Sequence, residues 1–213
     1  MERGIMKKGI LVVISGFSGA GKGTVLNELL KRYGSTYALS ISATTRDMRA
    51  GEAEGVNYFY KTQEAFEQMI EEDAFIEYAQ YCGKYYGTPK QYVYDQMNAG
   101  RDVILEIEVQ GALKVKEKFP DTPIIFLTPP TAAELEARLR GRGREDEAEI
   151  ARRLATAAKE AVYMPQYDYI IINDVLDACV EELHQMIQML HSDMAYQSEF
   201  VAQIQKELKE IQK

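Results

Sequence analysis

The sequence predicts an α/β fold, a parallel sheet layered between helices, and three observations carry that reading. Continuous β-branched and apolar runs, such as Gly9-Ile10-Leu11-Val12-Val13-Ile14-Ser15, suit strands buried on both faces. Helical patterns alternate with those runs along the chain, the order a parallel sheet requires. The first run also leads through a glycine-rich loop directly into a helix, and ligands of such sheets bind at the carboxyl ends of the strands.

The elements follow in order. Residues 1–8 read as a short leader, with Met6 as an alternative start to Met1. The first strand covers 9–15, and a helix with Val25, Leu26, Leu29 and Leu30 on one face runs to about Tyr33. A second strand is expected over 37–42. The texture then changes: 44–52 is polar and loop-like, 56–60 suits a strand, and 63–72 suits a helix with Phe66, Met69 and Ile70 inward. Aromatic strands over 75–81 and 83–87, joined by a tight turn, precede a helix opened by Pro89 and ending near Gly100. Residues 102–108 return to the buried-strand pattern, followed by a helix to about Phe119 and a strand over 123–127 that Pro129-Pro130 stops. Helices over 131–140 and 146–163, a strand over 169–172 and a helix over 175–190 complete the alternation. Residues 192–213 form a polar tail with Val201, Ile204, Leu208 and Ile211 at helical spacing. That stripe is expected to pack back on the core; pairing with a second subunit, as a homodimer, is the other outcome.

Composition narrows the function. A chain of 213 residues can bury a full core with small insertions. No apolar run approaches the roughly 20 residues of a membrane span, and no apolar signal region precedes the first strand, so a cytoplasmic protein without a membrane partner is expected. Cys82 and Cys179 lie far apart without metal-ligand spacing and read as two reduced thiols. The net charge of −8 argues against nucleic acid as a partner. Cations are instead concentrated: six of the eleven arginines fall between 138 and 153, as a phosphate-binding protein of acidic character requires.

The loop after the first strand reads Gly16-Phe17-Ser18-Gly19-Ala20-Gly21-Lys22-Gly23-Thr24. Glycines let backbone N–H groups turn inward toward a polyphosphate, and the helix start adds free N–H groups and a positive dipole end. Lys22 stands where an ammonium reaches the β and γ phosphates. The next position normally carries a hydroxyl for Mg²⁺; here it is Gly23, a variant resembling that of adenylate kinases, and Thr24 is the candidate metal hydroxyl. A glycine turn without a ligand is the bland alternative, and the agreement of strand, loop, lysine and helix speaks against it.

Three further groups carry chemistry. Arg46 and Arg49 are guanidinium forks suited to a second phosphate, or else ordinary loop charge. Glu77 lies among Phe75, Tyr78, Tyr81, Tyr85 and Tyr86, and is either an exposed strand residue or a reader of two adjacent donors. Guanine presents such a pair, N1–H and the N2 amino group, whereas adenine does not. Glu106 and Glu108, two apart on an apolar strand, are expected on one face at its end, with Glu106 toward a Mg²⁺–water shell and Glu108 toward the other substrate; two solvated acids are the alternative.

The phosphate loop, Ser42-Ala43-Thr44-Thr45-Arg46, Arg49-Ala50-Gly51-Glu52, Tyr58, Phe75-Ile76-Glu77-Tyr78-Ala79, Tyr85-Tyr86-Gly87-Thr88, Ile107-Glu108-Val109-Gln110-Gly111, Arg138-Leu139, Gly141-Arg142-Gly143 and Ile172-Asn173-Asp174 together resemble the guanylate kinase family, from about Lys8 to Leu190. That resemblance implies a phosphate-loop nucleoside monophosphate kinase, of bacterial type. Its nucleotide-binding core would cover 1–43, 101–130 and 164–191, its GMP-binding subdomain 44–100, and its lid 131–163, leaving 192–213 as a helical tail. It implies that Ser42, Arg46, Arg49, Tyr58 and Tyr86 surround the GMP phosphate, and that Glu77, Thr88 and Glu108 read guanine. Arg138, Arg142 and Arg153 would line the ATP phosphates and transferring group, and Asn173 would lie near adenine. The implied reaction, within purine metabolism and GMP recycling, is ATP + GMP ⇌ ADP + GDP with Mg²⁺. dGMP is expected as a second substrate, because no residue here would reject a missing 2′-hydroxyl. Gly23, Met48 (commonly proline in the family) and the glutamates at 106 and 108 (commonly aspartates) are departures. Two other readings compete: a non-catalytic guanylate-kinase-like module for phosphorylated or acidic peptides, which typically lacks the loop, and a kinase for another nucleoside monophosphate.

Overall fold

The structure, a computed structural model, describes residues 8–81, 83–141 and 146–211. Its first half holds β1 (Leu11–Gly16), α1 (Lys22–Tyr33), β2 (Tyr37–Leu39), β3 (Ala43–Thr44), β4 (Phe59–Tyr60), α2 (Gln63–Glu71), β5 (Phe75–Tyr81), β6 (Lys84–Pro89) and α3 (Lys90–Asn98). There follow β7 (Asp102–Glu106), α4 (Val109–Lys118), β8 (Ile124–Thr128), α5 (Ala132–Gly141), α6 (Glu147–Ala161), β9 (Tyr169–Ile172), α7 (Leu176–Leu190) and α8 (Ser198–Ile211).

The strands form two sheets. A five-stranded parallel sheet runs in the order β2-β7-β1-β8-β9. The continuous apolar run of β1 follows from its central place. Val12 and Ile14 enter the cluster packed by α1, α5, α6 and α7, while Leu11 and Val13 enter the cluster on the opposite face with α3 and α4. β7 divides in the same way, with Ile104 on the first face and Val103 and Leu105 on the second. This is the expected three-layer α/β core.

A four-stranded sheet, β4-β3-β6-β5, has its own small core of Ala43, Phe66 and Phe75. Phe66 is fully buried and stacks on Phe75 and Tyr85, with centroids 4.4 and 5.2 Å apart. The two sheets are fastened where Ile76 of β5 and Val93 of α3 join the second face of the parallel sheet. Asp73, at the turn into β5, accepts from Lys118 of α4 at 2.6 Å and pairs with Lys90 of α3. Those ammonium groups hold its carboxyl at about 2.

Several boundaries differ from the sequence expectation. The strand expected over 37–42 is shorter, because β2 ends at Leu39 and the chain crosses to the other sheet, which it enters at β3. Over 56–60 only Phe59–Tyr60 pairs as a strand, since Gly55 (φ 71°) turns the chain and the Asn57 side chain accepts from the Ala53 N–H at 2.9 Å. Pro89 ends β6 and caps α3 instead of occupying its first turn. Met6 and Cys82 lie outside the described residues, and Cys179 is a buried free thiol.

The tail corrects a further expectation. Its root is tied down: the Gln197 amide donates to the His191 carbonyl at 2.6 Å, and the Tyr196 hydroxyl donates to the Asp121 carbonyl at 2.7 Å. Beyond it, α8 buries none of its residues, and Ile204, Leu208 and Ile211 are 38, 56 and 79% exposed. Tyr196 covers the adjoining core surface, so the stripe does not pack back on it. Above the root, His191 stands 2.8 Å from Asp102, the first residue of β7, whose carboxylate also accepts from the Ile10 N–H. Two helical turns earlier, His184 stacks on Tyr33 at 3.8 Å and meets the Tyr37 hydroxyl at 2.7 Å.

Phe66→Ala should cost about 3–5 kcal/mol of stability, by removing the ring that fills the small core. Urea unfolding followed by tyrosine fluorescence checks this, and the loss should appear first in the transition of the second sheet.

Candidate functional site

At the end of β1 the chain must leave a central strand without a side chain in the way. A Cβ on Gly16 would lie 2.0 Å from the Leu127 carbonyl oxygen of β8. Gly19 (φ 96°) and Gly21 (φ 92°) adopt left-handed conformations that suit glycine. Added Cβ atoms there would lie 2.7 Å from Leu139 of α5 and 2.5 Å from the Asn173 amide. Gly21 is also the N-cap of α1 and offers no side-chain cap, so the first amides of the helix stay available to an anion. Phe17 roots the loop, with its ring edge-on to Phe126 at 4.9 Å.

The loop is held through its carbonyls. Lys22 Nζ donates to Gly16 O at 2.7 Å and to Phe17 O at 3.3 Å. Asn173, 6% exposed behind the loop, donates its amide to Ala20 O at 2.8 Å. Arg138 donates to the Asn173 carbonyl at 2.9 Å and to Ala20 O at 3.4 Å, and is steadied by Glu134 one turn earlier at 2.7 Å. Arg153 of α6 donates to the Ser18 hydroxyl at 3.1 Å and to Glu149 at 3.0 Å. Lys22, Arg138 and Arg153 therefore converge on the loop; Arg142 lies outside the described residues.

In front of the loop opens a cleft of about 390 Å³, lined in part by Lys22, Gly23, Thr24, Asn27, Glu106 and Glu108. The shared face expected of the two glutamates is corrected: β7 ends at Glu106, so strand alternation stops there, and Glu108 is the N-cap of α4. The turn between them still delivers both acids to the cleft. Solvent reaches Glu106, yet the protein crowded around it raises its carboxyl above the usual range, against the pull of Lys22. Thr24, Asn27 and Glu106 are oxygen donors, the type a hard cation takes. No group of three acidic, histidine or cysteine ligands occurs among the described residues, so such an ion would complete its shell with phosphate and water oxygens.

The second sheet supplies the other half. Glu77 on β5 accepts from the Thr88 hydroxyl of β6 at 2.9 Å, across the hairpin. Its carboxyl is raised by burial, with Thr88 opposing. Arg46 donates to Glu52 at 2.7 Å and to the Asp47 carbonyl at 2.8 Å, and its guanidinium lies 5.3 Å above the Tyr58 ring. Tyr58 meets Tyr86 at 6.0 Å, and Ser42 is half-buried beside this group, its carbonyl accepting from Phe59 N. Arg49 is exposed, as is Met48 between the arginines at 48%. Sequence reasoning missed Glu52 and Tyr60, whose hydroxyl donates to Glu52 at 2.8 Å. It also missed Asn27, though its place four residues after Gly23 was a legible signal of a shared helix face. The acids that steady Arg138 and Arg153 were legible in the same way, each four residues upstream.

Comparison with known proteins gives one consistent relationship. The guanylate kinase family model matches residues 8–190. A guanylate kinase of Caldanaerobacter subterraneus subsp. tengcongensis is 51% identical over 183 residues, covering 86% of this chain and 88% of that protein. The crystal structure of guanylate kinase from Anaplasma phagocytophilum superposes with a TM-score of 0.66 at 29% identity, covering 88% of this chain and 89% of that one.

Gly21→Ala would place a Cβ against the Asn173 amide in a left-handed backbone. Binding of a nucleoside triphosphate, read by titration calorimetry, should weaken by about tenfold or more from the strain alone.

Proposed function

The chain belongs to the guanylate kinase family, and from that membership we propose how its two half-sites share the work. The protein is an ATP-dependent kinase that phosphorylates GMP to GDP. The observation that best supports a division of labour is the pairing of a phosphate loop in one sheet with a partnered, half-buried glutamate in the other.

The loop residues 16–24 bind the ATP phosphates through their free amides, with Lys22 on the β and γ groups. Asn173 holds the loop at the side where adenine enters. Arg138, Arg142 and Arg153 neutralise the transferring group; an inserted arginine of this kind is worth about 10³–10⁵ in rate. Ser42, Arg46, Arg49, Tyr58 and Tyr86 receive the GMP phosphate. Glu77 and Glu108 accept from guanine N1–H and N2, and Thr88 fixes the Glu77 carboxylate. A GMP phosphate oxygen attacks the γ-phosphorus in line and ADP leaves, with no covalent enzyme intermediate. Thr24 and Glu106 fit an Mg²⁺ ion with its waters, and that ion would neutralise phosphate charge between the two nucleotides.

Finer points belong to the same reading. The units of the chain are a core over 1–43, 101–130 and 164–191, a GMP subdomain over 44–100 and a lid over 131–163. dGMP is a second substrate. The enzyme works in the cytoplasm, needs neither nucleic acid nor membrane, and would use the exposed stripe of α8 if it forms a homodimer.

A phosphoryl-transfer assay with Mg-ATP and GMP, dGMP, AMP, UMP and CMP tests the reading. Rapid ADP formation with GMP and dGMP, and very little with AMP, is expected; equal turnover of AMP would overturn the role given to Glu77 and Glu108.

Glu77 also sets a pH dependence. Burial favours its neutral form, whereas guanine's two donors require the anion. Guanosine, which carries no phosphate to titrate, should therefore lose affinity on acidification at a higher pH than an ordinary glutamate would impose. Glu77→Gln should bind guanosine weakly and without that pH dependence, as fluorescence competition can show.

A further inference from the structure

We propose that Glu52, itself held by Tyr60, is the positioning residue of the acceptor-phosphate clamp. The inference rests on the reading of Arg46 and Arg49 as that clamp and adds the group that sets their geometry.

The loop between the arginines has little to order it. Met48 is half exposed where a rigid residue would restrict the backbone, and Gly51 turns the chain at φ 86°. Order comes instead from one carboxylate. Oε1 of Glu52 accepts from Arg46 Nη2 at 2.7 Å. Its Oε2 accepts from the Arg49 backbone N–H and from the Tyr60 hydroxyl, each at 2.8 Å. Three donors from three positions thus converge on a single side chain, which is mostly shielded from solvent, at 19% exposure. They hold its carboxyl at about 2, so it keeps its charge wherever the enzyme works.

The geometry separates this role from direct binding. Glu52 is an anion and would repel a phosphate that touched it, so its contribution must pass through Arg46. A guanidinium carries five N–H donors in a fixed plane. One N–H, on Nη2, is committed to Glu52 and another, on Nη1, to the Asp47 carbonyl, while the Tyr58 ring lies under one face. The remaining donors therefore point in a fixed direction before any ligand arrives. Preorganisation of this kind removes the ordering cost from the binding step. Tyr60 extends the chain of support: it lies on β4, which pairs with β3 directly before Arg46, so the clamp is referred to the sheet and not to the loop alone.

The opposite sign is physically available. If Glu52 were a competitor occupying Arg46 until phosphate displaced it, its removal would tighten GMP binding. Calorimetric affinities of GMP, guanosine and ATP, with kcat and KM for GMP, decide between them in Glu52→Ala, Glu52→Asp and Tyr60→Phe. For Glu52→Ala, GMP affinity should fall roughly tenfold or more, the scale of losing a charge-assisted contact. Guanosine and ATP affinities should stay within about twofold, as expected for a change confined to the phosphate clamp. KM for GMP should rise more than kcat falls, Glu52→Asp should recover part of the loss, and Tyr60→Phe should show a smaller version of it. Unchanged or tighter GMP binding would overturn the inference, as would an equal loss of guanosine binding, which marks general damage to the second sheet. If the unaltered enzyme binds GMP no better than guanosine, the clamp reading itself fails and takes this inference with it.

Discussion

A loop whose backbone amides must stay free for a ligand has to be restrained through its carbonyls and side chains. That constraint organises the core of this protein. Lys22 and the Asn173 and Arg138 side chains all donate to carbonyls of the loop, and none of them takes the amides at the start of α1. The groups come from three separate elements, so the loop keeps its shape only when α5 and the segment after β9 are in place. The parallel sheet serves the same end by fixing β1 between β7 and β8, which sets where the loop begins. Burial on both faces of that sheet supplies the stability against which the glycine strain is set.

The second sheet solves a different problem. On the function proposed above, it recognises a neutral base and a dianion side by side. Glu77 and Thr88 form their pair within the hairpin, where burial sharpens discrimination between donors and acceptors. Arg46 is held half-buried against Glu52, and Arg49 is exposed to solvent. Phe66, Phe75 and Ala43 give this unit a small core of its own, while Ile76, Val93 and Asp73 fasten it to the parallel sheet.

Much of this was legible in the sequence, for identifiable reasons. β1, β7 and β8 were readable because burial on both faces forces an uninterrupted apolar run, and β5–β6 because aromatics flank a glycine turn. The division of 37–44 between two sheets was not readable, since local pattern does not report which sheet a strand joins. The two acids at 106 and 108 were read correctly as cleft residues for an incorrect reason: a turn, and not strand alternation, brings Glu108 round. Spacing alone revealed the helix at 198–211 but not that its stripe would remain uncovered. Glu52 passed unnoticed because the search there was for cations, and an acid that organises them leaves no spacing signature.

The chain has only two histidines, and both belong to α7 or its cap, in polar contacts with Asp102, Tyr33 and Tyr37. Asp102 begins the strand that Glu106 ends, so His191 lies at the edge of the sheet opposite the cleft. The contacts that seat α7 against the start of β7 are thus separated from the nucleotide cleft by the length of a strand.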